Sequence, residues 1–310
     1  MIATTSTEVD NALQLELDTL VQYKLLSKNT FDVYCAPFSA MNKVFDALAT
    51  AREITFRAAG EGTGKDRDVD QFDPHYYHLF IWDRENQAIV GGYRLGETDT
   101  IVGKFGVNAL YSRSLYRYDA NYIKKLGPAL EVGRSFVTQA YQRHPSALDL
   151  LWRGIGQFVV QHPKYKILFG CVSISSDHSE TARAFISDAM MESFRAEQEF
   201  LENVKPIVPL RVKDKVWSTR MLSSIRDISL FNKLVGQCDP GKTIPVLLRH
   251  YLALNGRFVG FSVNKGFNDS LDGLIMVDLH KMPDRYLTRY LGKEGLKNYQ
   301  NYWKQHETTV

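Results

Sequence analysis

A stretch at residues 130–137, LEVGRSFV, places two charged side chains inside a run that is otherwise typical of a β-strand. Glu131 and Arg134 are three residues apart, so a regular strand would point them to opposite faces of its sheet. Gly133 lies between them, where an inserted residue, a β-bulge, would cost least. A bulge could bring both charges into one cleft and leave a backbone N–H free to stabilise negative charge on a carbonyl oxygen. An equally acceptable interpretation is a buried ion pair that only fixes the sheet.

Composition indicates a globular protein in a reducing compartment. The chain has 310 residues, of which 44% are apolar, enough for one large domain or two with a substantial core. Its net charge of +3 gives no nucleic-acid signature. Cys35, Cys171 and Cys238 form no close pair, which argues against a disulfide framework. The N-terminus is polar and the longest apolar run, residues 167–174, is too short to span a bilayer. We therefore expect a cytoplasmic protein that can still bind a membrane surface as a peripheral protein.

Apolar periodicity predicts the strands and helices that must hold this stretch in place. The predicted strands cover residues 31–36, 77–82, 88–95, 130–137, 165–175, 258–263 and 274–279. The predicted helices cover residues 39–60, with Ser39 as a cap, and residues 146–160, 176–203, 245–255 and 286–303. The second and third strands form a predicted hairpin, and the strand at 165–175 is expected at the centre of the sheet. Residues 1–8 are predicted to be disordered, residues 97–128 irregular, and residues 204–244 a basic inserted connector.

A glycine-rich segment at residues 60–65, GEGTGK, looks at first like a phosphate-binding loop. That motif needs a glycine where Ala59 stands and a serine or threonine after Lys65, and it follows a strand, whereas a helix is predicted here. The sequence therefore predicts a flexible charged loop at this place instead of a nucleotide site.

Three carboxylates follow this loop in the stretch DVDQFD, at Asp68, Asp70 and Asp73. Such a cluster can bind a cation or the ammonium group of a substrate, although acidic residues in a loop are more often solvated. His75 and His78 frame the neighbouring HYYH, but a second cluster of ligands does not accompany them in the sequence, so no metal site is predicted.

Two arginines stand at predicted element ends. Arg52 and Phe56 are one helical turn apart, so a cation and an aromatic ring share one face of the first predicted helix. The plain interpretation is a solvated arginine beside a core phenylalanine. Arg94 lies at the end of the second hairpin strand.

Five segments occur in one order along the chain: FRAAGEGTGKDRDVDQFDPHYYHLF, VGGYRL, LEVGRSFV, LLWRGIGQFV and ILFGCVSIS. In this order they resemble the GNAT acyltransferase superfamily and, more closely, the bacterial N-acyltransferases that make ornithine-type amino-acid lipids, often labelled hemolysins. They are also similar to the second domain of some two-domain lysophospholipid acyltransferase proteins. The resemblance covers about residues 31–279. It implies an α/β fold in which a central mixed β-sheet with a bulged central strand is flanked by helices. It further implies a GNAT-like domain at residues 31–310, preceded by a helical extension or linker at residues 1–30.

A more distant similarity is to the acyl-homoserine-lactone synthases, whose functional residues match here at Arg52, Phe56, Asp68, Asp70, Arg94, Glu131 and Arg134. Acetyl-CoA-using members of the superfamily carry a glycine-rich loop between the bulged strand and the next helix, where backbone N–H groups hold a pyrophosphate. This chain has TQAYQRHPSAL there, without glycine. The departure fits the single phosphate of an acyl-carrier-protein arm. The resemblance therefore implies an acyl-carrier-protein partner or acyl-CoA as thioester co-substrate, with no bound cofactor and no metal.

The implied reaction is attack of an amine on an acyl thioester to give an amide. Because an amine is mostly protonated near neutral pH, a base must remove a proton, and Glu131 is the predicted base. Backbone N–H groups near Gly133 would stabilise the oxyanion, each contributing about 3 kcal/mol. Arg134 would orient the base or hold an acceptor carboxylate, and Arg94 and Arg52 would complete an anion-binding floor.

Ser173 and Ser175, at the end of the predicted central strand, are candidates for contact with the pantetheine arm. The acceptor would be the amine of an amino acid such as ornithine or glycine, and the acyl group would be long, with a 3-hydroxy group as an option. Peripheral contact with inner-membrane lipid is a further option, and no nucleic-acid partner is predicted.

Three other functions fit parts of the sequence. A non-catalytic acyl- or carrier-binding module, associated with a phospholipid acyltransferase, would keep Glu131 sealed from solvent. A synthase of the acyl-homoserine-lactone type would use S-adenosylmethionine in place of an amino acid. A lytic membrane protein is disfavoured because the sequence has neither a secretory signal nor a long cationic amphipathic helix.

Overall fold

The computed structural model describes residues 6–213, 215–225 and 227–306. The strands are β1 Lys24–Lys28, β2 Phe31–Pro37, β3 Tyr77–Asp83, β4 Ala88–Glu97, β5 Tyr116–Arg117, β6 Ala129–Val137, β7 Ile167–Ile174, β8 Lys205–Pro206, β9 Arg257–Asn264 and β10 Ser270–Asp278. Within the described ranges, eight of them form one sheet in the order β1-β2-β3-β4-β6-β7-β10-β9, while β5 pairs with β8. In the large sheet β6 and β7 are parallel and the other neighbours are antiparallel. The predicted α/β fold with a mixed central sheet is confirmed.

Helices cover both faces of this sheet. They are α1 Ser6–Thr19, α2 Lys43–Ala58, α3 Thr98–Phe105, α4 Ala120–Leu126, α5 Ala147–Gln161, α6 Glu180–Ser193, α7 Gln198–Leu201, α8 Thr219–Ser223, α9 Ile228–Cys238, α10 Val246–Ala253, α11 Asp284–Leu291 and α12 Lys293–His306. None of the described helices is long and apolar enough to cross a membrane.

Alternation along β2 and β3 explains why helices are needed on both sides. Val33 and Leu79 belong to the apolar cluster that includes α5. Their chain neighbours Tyr34 and Phe80 belong to a separate cluster that includes α2. Successive strand residues face opposite ways, and each large apolar side chain that becomes buried contributes about 1.5–3 kcal/mol. A sheet that is apolar on both faces is therefore stable only between two helical layers.

The predicted bulge is present at the centre of the sheet. Arg94 of β4 pairs with Gly133 of β6, but Gly92 pairs with Phe136, so two residues of β6 oppose one residue of β4. Arg134 is the residue that absorbs this irregularity, with φ at +50°, in the left-handed region that a non-glycine residue seldom occupies. The bulge therefore reorients the arginine side chain, as the charge spacing in LEVGRSFV predicted.

A gap opens between β6 and β7 just after they meet. Their pairing runs from Ala129 with Ile167 to Glu131 with Phe169, and in the described part of the chain it goes no further. Gly170 still lies against Val132, since a Cβ there would overlap the Val132 carbonyl oxygen. Beyond this close approach the two strands separate, which leaves room between their carboxyl ends.

Several local predictions were wrong. Ser39 lies in a short 3-10 helix, and α2 begins after Asn42. Residues 97–128 were expected to be irregular, but α3 and α4 lie within them because short amphipathic segments there find apolar partners around the buried Ile101. The single predicted helices at 176–203 and 286–303 are each divided in two, the second at Gly292, whose φ of +76° ends α11.

The N-terminal segment contributes to the sheet. Residues 1–5 of the predicted disordered segment lie outside the described residues, while residues 6–8 begin α1, so that part of the prediction was wrong. The strand β1 pairs antiparallel with β2 and forms one edge of the large sheet. The domain boundary after residue 30 and the inserted connector at 204–244 stay predictions.

Candidate active site

A cavity of about 460 Å³ occupies the gap between β6 and β7. Its polar wall includes Glu61, Tyr111, Arg134, Ser173 and Asp272. We call this space the central cavity. Side chains from the loop after α2, from the segment before β5 and from three strands thus meet at one place, although up to 211 residues separate them in the chain.

The remaining wall of the central cavity is largely apolar. It is formed by Phe56, Phe136, Leu148, Val172, Leu247 and Phe267, among others. Phe56 packs edge-on against Phe267 and Phe136, with ring centroids 5.1 and 6.1 Å apart. A cavity with an apolar wall and a few convergent polar groups is the usual form of a site for an amphipathic small molecule.

Six charged side chains close a ring beside the central cavity, and we call it the charged ring. In order around the ring they are Arg52, Asp68, Arg134, Asp70, Arg94 and Asp73. Each carboxylate contacts two guanidinium groups, at nitrogen–oxygen distances between 2.7 and 3.1 Å. Three positive and three negative charges balance, which is the condition under which charges are tolerated inside a protein.

The charged ring corrects the prediction for DVDQFD. Asp68 and Asp73 are completely buried and Asp70 is 19% exposed in its side chain, so these acids are not solvated. Their charges are taken up by arginines instead of a cation or a substrate ammonium group. Arg52 is buried as well, and the interpretation of it as a solvated arginine was wrong. Burial alone would raise the pKa of Asp73, but Arg94 and Arg52 hold it well below its usual range.

His78 is a buried, neutral histidine beside the charged ring. Its ring Nε2 lies 3.2 Å from the backbone carbonyl of Asp73, and the ring packs edge-on against Phe45. Burial and the positive charges of Arg52 and Arg94 lower the pKa of His78 to about 3. The ring is therefore neutral at ordinary pH and supports the loop that carries Asp73.

Glu131 does not enter the central cavity. Its side chain is buried, and its carboxylate accepts hydrogen bonds from the backbone N–H groups of Tyr111 and Ser112, at 2.9 and 2.7 Å, and from the hydroxyl of Tyr76. The expectation that the bulge would turn Glu131 and Arg134 into one cleft is thus correct for Arg134 alone. The assignment of Glu131 as the base stays a prediction.

Tyr111 lies between Glu131 and Arg134 and contacts both. Its backbone is held by Glu131, and its ring lies under the guanidinium groups of both Arg134 and Arg94, at 4.7 and 5.1 Å from the ring centroid. The second face of Arg134 meets Phe267 at 5.1 Å. The nearby Tyr111 and the carboxylates of the charged ring hold the pKa of Arg134 well above its usual value, so the group is a permanent cation.

The other predicted residues divide between the cavity and its support. Gly133, Phe56 and Ser173 line the central cavity. Ser175 points elsewhere, because its hydroxyl donates to the Gly60 carbonyl oxygen at 3.3 Å. It therefore fixes the loop at 60–65 and is not placed to contact a ligand.

The predicted set lacked many residues of the cavity wall, among them the polar side chains of Tyr111, Glu61 and Asp272. Asp272 accepts hydrogen bonds from Asn264 and Ser270, both at 2.9 Å, and burial raises its pKa. A lone acid inside the apolar run SLDGLIMV of β10 was a usable signal for it.

Comparison with known proteins identifies the relatives of this chain. Residues 51–153 match the family described as an acetyltransferase (GNAT) domain. The chain is 28% identical to a glycine N(alpha)-acyltransferase of Bacteroides thetaiotaomicron, over 90% of this chain and 86% of that protein. It is 25% identical to an L-ornithine N(alpha)-acyltransferase of Agrobacterium fabrum, over 78% and 77% of the two chains. The solved structure of BjaI, a CoA-dependent acyl-homoserine lactone synthase, aligns at a TM-score of 0.39 and 10% identity, covering 87% of this chain and 97% of that one.

Proposed function

We propose that this chain transfers a long-chain acyl group from a thioester to the α-amino group of an amino acid, starting from the match of residues 51–153 to the GNAT acetyltransferase domain. The names of its relatives, glycine and ornithine N(alpha)-acyltransferases, support the amino acid as acceptor. The observation that carries the proposal is the central cavity, which lies in the gap between β6 and β7 and joins a bulged strand to a large apolar wall.

The apolar wall would hold the acyl chain. This wall includes Phe56 and Phe136, which pack edge-on against each other, together with Leu148, Val172 and Leu247. Each methylene that becomes buried contributes about 0.8 kcal/mol, so a long chain gains several kcal/mol that a short chain lacks. Affinity should therefore increase with chain length until the cavity is full.

The bulged strand would stabilise the reaction's negative charge. After Glu131 the described part of β6 has no ladder partner in β7, so backbone N–H groups near Gly133 are candidates to donate into the gap. A thioester carbonyl placed there would develop its oxyanion against these groups, and one such donor contributes about 3 kcal/mol. The ion pairs of Arg134 use Nε and Nη2, so we assign Nη1 to the acceptor's carboxylate.

The donor in this proposal is an acyl-carrier-protein thioester. The chain between β6 and α5 contains a 3-10 helix, Gln139–Tyr141, and has no glycine with which to form a pyrophosphate-binding loop. A carrier-protein arm has one phosphate and does not need that loop, whereas CoA brings a pyrophosphate. The product, an N-acyl amino acid, is amphipathic, so we further propose a cytoplasmic enzyme that delivers it at the inner face of the membrane.

A direct assay tests the function. Purified protein is incubated with palmitoyl-carrier protein or palmitoyl-CoA and with glycine, ornithine or S-adenosylmethionine, and N-acyl products are measured by mass spectrometry. We expect an N-acyl amino acid with the carrier-protein donor. Leu148→Trp should reduce transfer of long acyl chains far more than transfer of short ones, because the larger side chain fills part of the cavity. Leu15→Trp, at an exposed position of α1, is the matched control. Absence of amide product from every donor and acceptor would refute the proposal.

One observation favours a second function. The burial of Glu131 is what a non-catalytic acyl-binding module would show, because a sealed carboxylate cannot accept a proton from a substrate. In that case the protein would bind acyl-carrier protein or a fatty acid and release it unchanged. The same assay separates the two functions, since binding without any amide product would support the module.

A further inference from the structure

Glu61 has a carboxyl group at the wall of the central cavity for which the described residues provide no hydrogen-bond or ion-pair partner. The side chain is half-buried at the cavity wall, and among the residues that the structure describes no hydrogen bond or ion pair engages its carboxylate. In contrast, Asp272 is held by Asn264 and Ser270, and Arg134 is held by two carboxylates of the charged ring. A buried carboxylate without a partner is costly, so Glu61 ionises most readily when a cationic ligand lies beside it.

The loop that carries Glu61 is fixed on both sides. After it, the Glu53 carboxylate accepts from the backbone N–H groups of Thr63 and Gly64, at 3.0 and 2.9 Å. Before it, the carbonyl oxygen of Gly60 accepts from the Asn268 amide at 2.9 Å. Side chains of α2 and of the β9–β10 turn therefore hold the backbone of this loop, and its flexibility stays a prediction. Hydrogen bonds to the residues before and after Glu61 thus fix its position at the cavity wall.

The charges around Glu61 favour a cationic ligand. Two acidic side chains are its neighbours, Asp272 from β10 and Asp177 from the turn after β7, and Asp177 lies directly against Gly60. Arg134 from β6 is the positive group that faces it, and its charge is already balanced within the charged ring. Tyr111 lines the same wall and is neutral. This end of the cavity therefore gathers three acidic side chains and one arginine whose charge is already balanced elsewhere.

We propose that Glu61 binds the protonated amino group of the acceptor and removes its proton before the amine attacks the thioester. The inference rests on the proposed function. It assigns the role of base to Glu61, because Glu131 is sealed from the cavity. One N–H bond of the ammonium group breaks, its proton goes to Glu61, and the nitrogen lone pair forms a bond to the thioester carbonyl carbon. The tetrahedral intermediate then expels the thiolate, which takes up the second proton of the nitrogen, and Glu61 releases its proton to water.

The electrostatic setting is suited to this step. Burial and the neighbouring Asp272 raise the pKa of Glu61 to about 8, so the carboxyl group is mostly protonated at pH 7 until a cationic ammonium group enters the cavity and favours its ionised form. A base with a pKa near the working pH is the most effective one, and general-base catalysis typically contributes a factor of about 100 to 10,000.

The test compares Glu61→Gln with wild type using palmitoyl-carrier protein and glycine. We expect kcat/KM for glycine to fall by about 100-fold or more, with unchanged affinity for the acyl donor and an unchanged melting temperature. The deficit should shrink above the pKa of the free amine, because the acceptor then arrives deprotonated, and Glu61→Asp should restore part of the rate at neutral pH. Glu85→Gln, at an exposed position of the β3–β4 turn, is the matched control.

The outcomes separate the inference from the proposed function. If wild type makes amide and Glu61→Gln makes it equally fast at all pH values, the inference is overturned while the proposed function stands. If wild type makes no amide, the proposed function itself fails. If Glu61→Gln unfolds, the pH profile of Glu61→Asp decides: an unshifted profile at full rate overturns the inference.

Discussion

Replacing Asp73 with asparagine should reveal how strongly the charged ring holds the site together. The Asp73 carboxylate accepts from Arg52 at 3.1 and 3.3 Å, from Arg94 at 3.0 Å and from the backbone N–H of Asp70 at 2.8 Å. The substitution Asp73→Asn keeps the size of the side chain but removes one negative charge, which leaves one positive charge buried without compensation.

The expected loss is about 3–5 kcal/mol in the free energy of unfolding, the usual cost of breaking a buried ion pair from one side. Removing a positive partner as well, in Asp73→Asn with Arg52→Met, restores neutrality, so the double variant should lose less than the sum of the two single variants. The pH dependence follows from the depressed pKa of Asp73. Its contribution is complete above the unfolded-state pKa of about 3.9 and declines as the pH falls toward the lower folded-state value.

Urea unfolding at pH 7, monitored by tryptophan fluorescence, measures these differences. Glu197→Gln is the matched control, because Glu197 pairs with Lys281 at 2.6 Å while both side chains are more than half exposed. An exposed pair of this kind contributes at most about 1 kcal/mol. A loss for Asp73→Asn no larger than for the control would refute the view that the ring is a closed, buried and neutral unit.

Two further substitutions test the strands around the central cavity. Gly170→Ala should destabilise the protein by about 3 kcal/mol, because its Cβ would overlap the Val132 carbonyl oxygen where β6 approaches β7. Gly103→Ala is the control in thermal unfolding: no atom lies within 4 Å of its Cβ, so it should be neutral or slightly stabilising. Glu131→Gln should lower stability by about 1–3 kcal/mol, since its amide cannot accept all the hydrogen bonds that hold Tyr111; a normally stable but inactive variant would instead restore Glu131 as the base.

Much of the fold follows from local patterns in the sequence. The hairpin of β3 and β4 and a bulge near Gly133 were predicted because strand alternation and a glycine between two charges are properties of a few neighbouring residues, and the bulge lies one residue further, at Arg134. The division at Gly292 was missed although a glycine at the end of a helix is itself a local signal, since its φ of +76° ends α11.

The site, like the fold, has features that the sequence predicts and features that only the tertiary structure decides. The sequence by itself determined five of the six members of the charged ring, because the resemblance to the acyl-homoserine-lactone synthases singled out Arg52, Asp68, Asp70, Arg94 and Arg134 but not Asp73. Only the tertiary structure decided where each charge points: Glu131 is turned toward the N–H group of Tyr111, and Glu61 is left facing the cavity. The physical reason is that a buried charge takes whichever partners the folded chain brings within about 3 Å. Those partners come from distant segments whose register no local pattern specifies.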